Sequence, residues 1–155
     1  MFRHVLLPTD GSELSEMAIR HGVRLAKENN AKVTGISVTP QLPAVTAGAA
    51  TFRDAREKYV VEIQAQARRH LAILQKAAAE EGVTCETLVE SSNRPHEAII
   101  AAAEARGCDL ILMASDGRHG VKELLLGSPT QKLLAHSGVP VLIYRQGKRQ
   151  GREDE

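Results

Sequence analysis

The sequence predicts an α/β fold: a three-layer sandwich in which a parallel, five-stranded sheet carries helices on both faces. Three observations lead there. Short apolar runs alternate with helix-length segments, and strand–helix–strand repetition favours parallel pairing through right-handed crossovers. One run, "DLILMA" (residues 109–114), is apolar almost throughout, as a strand covered on both faces should be. At 155 residues the chain is of single-domain size and long enough for an aliphatic core.

The elements follow in order. "HVLLP" (residues 4–8) is the first strand, and "TDGS" after it is a turn that can cap a helix. Over residues 14–29, Leu14, Met17, Ala18, Val23, Leu25 and Ala26 fall at roughly helical spacing. "AKVTGISV" (31–38) reads as the second strand. Residues 39–51 hold two prolines and a glycine without periodicity, which makes them loop. A long helix rich in Ala, Gln and charge spans 53–81 and stops at Gly82. "VTCETLVE" (83–90) alternates as the third strand. The helix over 95–106 opens on Pro95 and closes before Gly107. "DLILMA" is the fourth strand, 129–136 a short helix, and "VPVLIY" (139–144) the fifth strand. Pro140 inside that last run marks a sheet edge, because proline cannot donate to a neighbouring strand. The domain is expected to span residues 1–145, with 146–155 as a charged, mobile tail.

Composition excludes several function classes. The net charge is +1, so no basic field argues for nucleic acid or an anionic membrane. Trp is absent, and two Tyr and two Phe leave few platforms for stacking bases. No run approaches the ~20 apolar residues of a membrane span, and the apolar stretch near the N-terminus is too short for a signal peptide. Cys85 and Cys108 form neither a CxxC nor a zinc spacing and read as buried thiols in a reducing compartment. These features predict a cytoplasmic protein with no nucleic-acid or membrane partner. Catalysis finds little support: His4 precedes the first strand, and His21, His70, His96 and His136 fall on helices, where surface positions are the default. No hydrolase elbow and no "GK[ST]" phosphate loop occurs. At most a weak ATPase is expected, with no catalytic residue to assign.

In open parallel sheets ligands bind beyond the carboxyl ends of the strands, where the strand order reverses. Two such ends carry polar and glycine-rich chain: "PTDGS" (8–12) and the stretch from Ala114 to Ser128. Glycines there permit positive φ and close backbone approach. Gly127-Ser128-Pro129 also has a purely structural use, since Ser suits an N-cap and Pro the first helical position.

From "HVLLPTDGSELSEMAIRHGVRLA" to "VPVLIYR" the chain resembles the universal stress proteins. Nucleotide-binding members of that family carry Gly, two residues, Gly, nine residues, then Gly-Ser or Gly-Thr. The register that keeps the nine-residue spacing here is Ala114, Gly117, Gly127-Ser128; starting at Gly117 and Gly120 leaves only six residues before Gly127. The resemblance implies a Rossmann-like sheet in the order 3-2-1-4-5, a role in the stress response, and ATP with Mg2+ as cofactor. It also implies a homodimer formed through the last strand, Val139 to Tyr144. Asp10 would lie at the adenine or ribose, with Pro8 and Thr9 leading into it, and Val38 would line the adenine pocket. Ala114 would lie near the ribose beside Met113. Gly117, Gly127 and Ser128 would contact the phosphates, with Arg118, Pro129 and Thr130 close by. Asp10 keeps a second reading, as the cap of the turn into the first helix. Ala114 replaces the first glycine, Asp116 adds a carboxylate, and Pro129 lacks an N–H. Those departures keep open a family member that serves as a dimeric interaction module without nucleotide.

Overall fold

The computed structural model describes residues 1–43, 50–115 and 128–145, with only the backbone of Ala50, Thr51 and Ser128. The elements are β1 (His4–Pro8), α1 (Glu13–Glu28), β2 (Lys32–Thr39), α2 (Ala50–Glu80), β3 (Cys85–Ser91), α3 (Pro95–Arg106), β4 (Leu110–Ala114), α4 (Ser128–His136) and β5 (Val141–Tyr144). All pairings are parallel, and the sheet runs β3-β2-β1-β4-β5. The expected fold class and strand order are both present.

Strand periodicity explains the two-sided core. Successive side chains of a strand point to opposite faces, so Val5 and Leu7 of β1 join one cluster and Leu6 the other. The first cluster is completed by Ala18, Ile19, Val23 and Ala26 of α1 and by Leu74 and Ala78 of α2. The second takes Ile99, Ala102 and Ala103 from α3 and Leu133 from α4. In β2, a Cβ at Gly35 would overlap the Leu74 side chain, so this glycine is what lets α2 lie close to the sheet.

Helix ends are set by local chemistry. Ser12 caps α1, its Oγ accepting from the Ser15 N–H at 3.2 Å. Pro95 opens α3, and Gly107 closes it at φ 67°, a left-handed conformation that favours glycine. Several boundaries shift by one to three residues from the sequence expectation, and three of these have a clear local cause. Helix α2 begins at Ala50, inside the stretch expected to be loop, because small alanines tolerate helix where periodicity is absent. Helix α4 begins at Ser128, one residue before the expected start, and Pro129 stays in the first turn, where no N–H is needed. Strand β5 begins at Val141, with Pro140 just ahead of it; the Pro140 carbonyl still accepts from the Ile111 N–H at 2.9 Å. The edge position expected for this strand holds. The proposed tail at 146–155 lies outside the described residues.

The amino ends of the strands are locked by a polar group. Asp109 accepts from the backbone N–H groups of Arg3 at 2.9 Å and His4 at 3.0 Å. Burial opposes its ionisation, but those donors outweigh it and hold the carboxyl below its ordinary value. His4 is the first residue of β1, and its ring is buried, with Nε2 2.7 Å from Thr34 Oγ1. Burial foremost, and then the positive charge of Lys32, lower its pKa from 6.5; the Arg106 backbone and the Glu86 and Asp109 charges oppose this. Burial likewise raises the Cys108 thiol to about 11, so it is protonated and unreactive at neutral pH.

Two outcomes follow. Leu74→Ala opens a cavity against Gly35 and should destabilise the fold by about 2–5 kcal/mol in chemical denaturation. Because the His4 pKa is lower in the folded state, the unfolded chain takes up the proton first. The stability of neutral His4 is present above the ordinary imidazole pKa of 6.5 and falls as pH drops through it towards the folded value. Thermal midpoints between about pH 7 and pH 5 should therefore fall more steeply for the wild type than for His4→Gln.

Candidate functional site

The crevice lies at the carboxyl ends of β1 and β4, the point where the strand order reverses. Register fixes which residues meet there. Pro8 is paired with Ile36, and Leu6 with Ile111. Beyond Pro8 the chain leaves the paired strand, so Thr9 and Asp10 lie past the carboxyl end of β1, which is flanked by β2 and β4. Pro8, Asp10, Val38, Met113 and Ala114 are each half-buried, while Thr9 is buried. Pro8, Val38, Met113 and Ala114 thus stand at or near the carboxyl ends of β1, β2 and β4, with Val38 and Met113 packed on the α3–α4 face and Ala114 on the α1–α2 face.

A network of short polar contacts holds the turn after β1. The Thr9 N–H donates to the Ile36 carbonyl at 2.9 Å, which extends the ladder one residue past the strand. Thr9 Oγ1 and Ser15 Oγ lie 2.7 Å apart. Ser15 Oγ also accepts from the Asp10 N–H at 3.3 Å, and Thr9 Oγ1 from the Gly11 N–H at 3.3 Å. Asp10 Oδ1 accepts from the Ser12 N–H at 2.9 Å, so the turn-capping reading of Asp10 is realised in the structure. Gly11 sits at φ 77°. A Cβ there would be strained by that φ and would also overlap the His70 imidazole of α2.

The phosphate end is partly described. Gly117, Arg118 and Gly127 lie outside the described residues, as does Asp116. Helix α4 begins at Ser128, and Thr130 in its first turn is only 2 % exposed. Pro129 is exposed. The helices that follow β1 and β4 differ in charge. The first turn of α1 holds Glu13 and Glu16 behind its own serine cap, whereas the first turn of α4 holds no acidic residue. A helix N-terminus carries partial positive charge, so α4 is the end left uncompensated by its own first turn.

Two features were not foreseen from sequence. A cavity of about 320 Å³ opens at the ends of β2 and β3 against α2, lined among others by Thr39, Gln41, Arg56 and Gln64. Arg56 is held there by donating from Nη2 to the Leu42 carbonyl at 3.1 Å. The second is His70, which was expected at the surface and is instead half-buried against Gly11. His21 stacks on Tyr144 with ring centroids 4.7 Å apart, and His96 faces His136 at 6.0 Å. Among the described residues no group of three or more His, Cys, Asp or Glu is arranged to hold a metal ion. No helix among them is long and apolar enough to cross a membrane.

Comparison with known proteins agrees with this architecture. The sequence model of the universal stress protein family matches residues 1–145. The Bacillus subtilis universal stress protein YxiE is 35 % identical over 149 residues, covering 94 % of this chain and 100 % of that protein. The solved structure of MJ0577, from Methanocaldococcus jannaschii, superimposes with a TM-score of 0.78 at 26 % identity, over 95 % of this chain and 98 % of that one. A universal stress protein solved in complex with cAMP has a TM-score of 0.69 at 23 % identity, over 94 % of this chain and 99 % of that one. The switch-point crevice, the strand order and the full-length match agree, and the chain belongs to the universal stress protein family.

Proposed function

We propose that this protein binds an adenine nucleotide, ATP, at the β1–β4 crevice and acts in the stress response as a nucleotide-dependent switch. The observation that supports the reading is the sheet order, which reverses between β1 and β4, with Pro8, Val38, Met113 and Ala114 at or near the carboxyl ends of β1, β2 and β4 and Asp10 in the turn beyond β1. A family relative of the same fold is solved with cAMP, which supports an adenine ligand. Val38 and Met113 offer the apolar wall a purine needs, and Asp10 an acceptor for ribose hydroxyls or the adenine amino group.

The phosphates fit α4 better than α1. The α1 end already satisfies its own donors and carries two glutamates, while α4 starts without acidic residues. Gly117, Arg118, Gly127, Ser128, Pro129 and Thr130 would surround them by resemblance to the family. Pro129 removes one backbone donor, so the hydroxyls of Ser128 and Thr130 would share the load. Mg2+ would be held by phosphate oxygens and water, consistent with its usual sparing use of protein ligands. We place the working unit at residues 1–145, in the cytoplasm, with 146–155 as a charged tail. Homodimerisation through Val139 to Tyr144 would cover the β5 edge, where Leu142 is 42 % exposed.

Pro129, together with Ala114 and Asp116, favours the one competing reading, a dimeric interaction module without nucleotide. The same experiment separates them. Protein denatured after purification should release adenine nucleotide, readily seen because the chain has no Trp. Titration with ATP and magnesium should give saturable heat. Asp10→Asn keeps the oxygen that accepts from the Ser12 N–H but removes the charge, and should weaken binding roughly 10–100-fold, the worth of a charged hydrogen bond. No released nucleotide and no heat would leave the interaction module standing.

A further inference from the structure

Helix α2 is far longer than the strands it covers. Its 31 residues span about 46 Å at helical rise. Its buried side chains lie in the second half, Ala67, Leu71, Leu74 and Ala78, a helical stripe of one face, while the first half lines the cavity at the ends of β2 and β3 and is tied to the chain after β2 through Arg56. From Phe52 to Gln66 no side chain is buried. Phe52, Tyr59 and Val61 are 66 %, 47 % and 66 % exposed. Because α2 follows the carboxyl end of β2 and runs back towards β3, its exposed first half lies at the same end of the sheet as the crevice.

His70 sits just where the seated stripe begins. The Nε2, Cε1 and Cδ2 edge of its ring occupies the space a Cβ at Gly11 would need. Gly11 follows Asp10 directly, and the intervening turn is tied by hydrogen bonds among Thr9, Asp10, Ser12 and Ser15. A displacement of Asp10 by ligand cannot leave Gly11 in place, and Gly11 cannot move towards α2 without displacing the imidazole. Close-packed contacts of this kind transmit displacement rather than absorb it.

We propose that His70 is the positioning residue of the Asp10 turn, and that through it α2 registers whether the crevice is filled. This rests on the nucleotide reading above for its ligand. It assigns the exposed half of α2 as the element that changes with occupancy.

The test uses the full chain, ATP with magnesium as the probe, and hydrogen exchange with imidazole NMR as readouts. In the wild type, ATP should shift the His70 ring resonances and slow exchange across residues 52–66 several-fold. His70→Ala should weaken ATP binding several-fold and abolish the response of 52–66, while leaving the fold intact by circular dichroism. His70→Gln, whose amide reaches the Nε2 position, should restore part of both. Unchanged affinity and an unchanged α2 response in His70→Ala would overturn the proposal. If the wild type binds no ATP, the nucleotide reading and the sensing role fall together. The positioning role is then decided in the free protein: faster amide exchange at Gly11 and Ser12 in His70→Ala supports it, and equal exchange refutes it.

Discussion

Strand β1 is covered on both faces and flanked by strands on both sides. Val5, Leu6 and Leu7 are at most 1 % exposed, and β2 and β4 occupy its two edges. No polar side chain can work from the middle of such a strand without being desolvated. Chemistry is therefore displaced to its ends. At the amino end, His4 and Asp109 satisfy each other's neighbourhood and serve stability. At the carboxyl end, the chain leaves the sheet through Thr9, Asp10 and Gly11, beside the point where the strand order reverses. The rest of the molecule follows from that division.

The turn after β1 is more rigid than its glycine suggests. The hydroxyls of Thr9 and Ser15 meet at 2.7 Å, and each also accepts from a backbone N–H of the turn. Ser15 is buried beside Thr9, so breaking the pair would strand polar groups away from water. This preorganises Asp10 before any ligand arrives, which lowers the ordering cost of binding. The α4 side has the opposite character: one proline in the first turn, one nearly enclosed threonine and no acidic cap. An anion would complete that end, whereas it would compete with Glu13 and Glu16 at α1.

Much of this was legible in the chain. The alternation of apolar runs forced parallel crossovers, and Pro95 with Gly107 marked both ends of α3 before any coordinates. Pro8, Thr9, Asp10, Val38, Met113 and Ala114 were named through the family resemblance, which also supplied the strand order and with it the switch point. Boundaries at Ala50, Ser128 and Val141 were missed by one to three residues. There the local signals conflict: alanine and serine accept both helix and loop, and proline terminates a strand as readily as it marks an edge.

The histidines show where sequence stops. His4 and His70 have the same surroundings in the chain as many surface histidines, yet one is 5 % exposed and bonded to Thr34, and the other wedges against Gly11. Asp109 reads as a strand-flanking acid, but its partners lie 105 and 106 residues away. The sequence by itself determined the elements and their succession along the chain, because periodicity and capping act within a few residues. Only the tertiary structure decided which polar groups are buried together and which helix rests on the Asp10 turn. Those contacts join distant segments, and packing fixes them only once the sheet has closed.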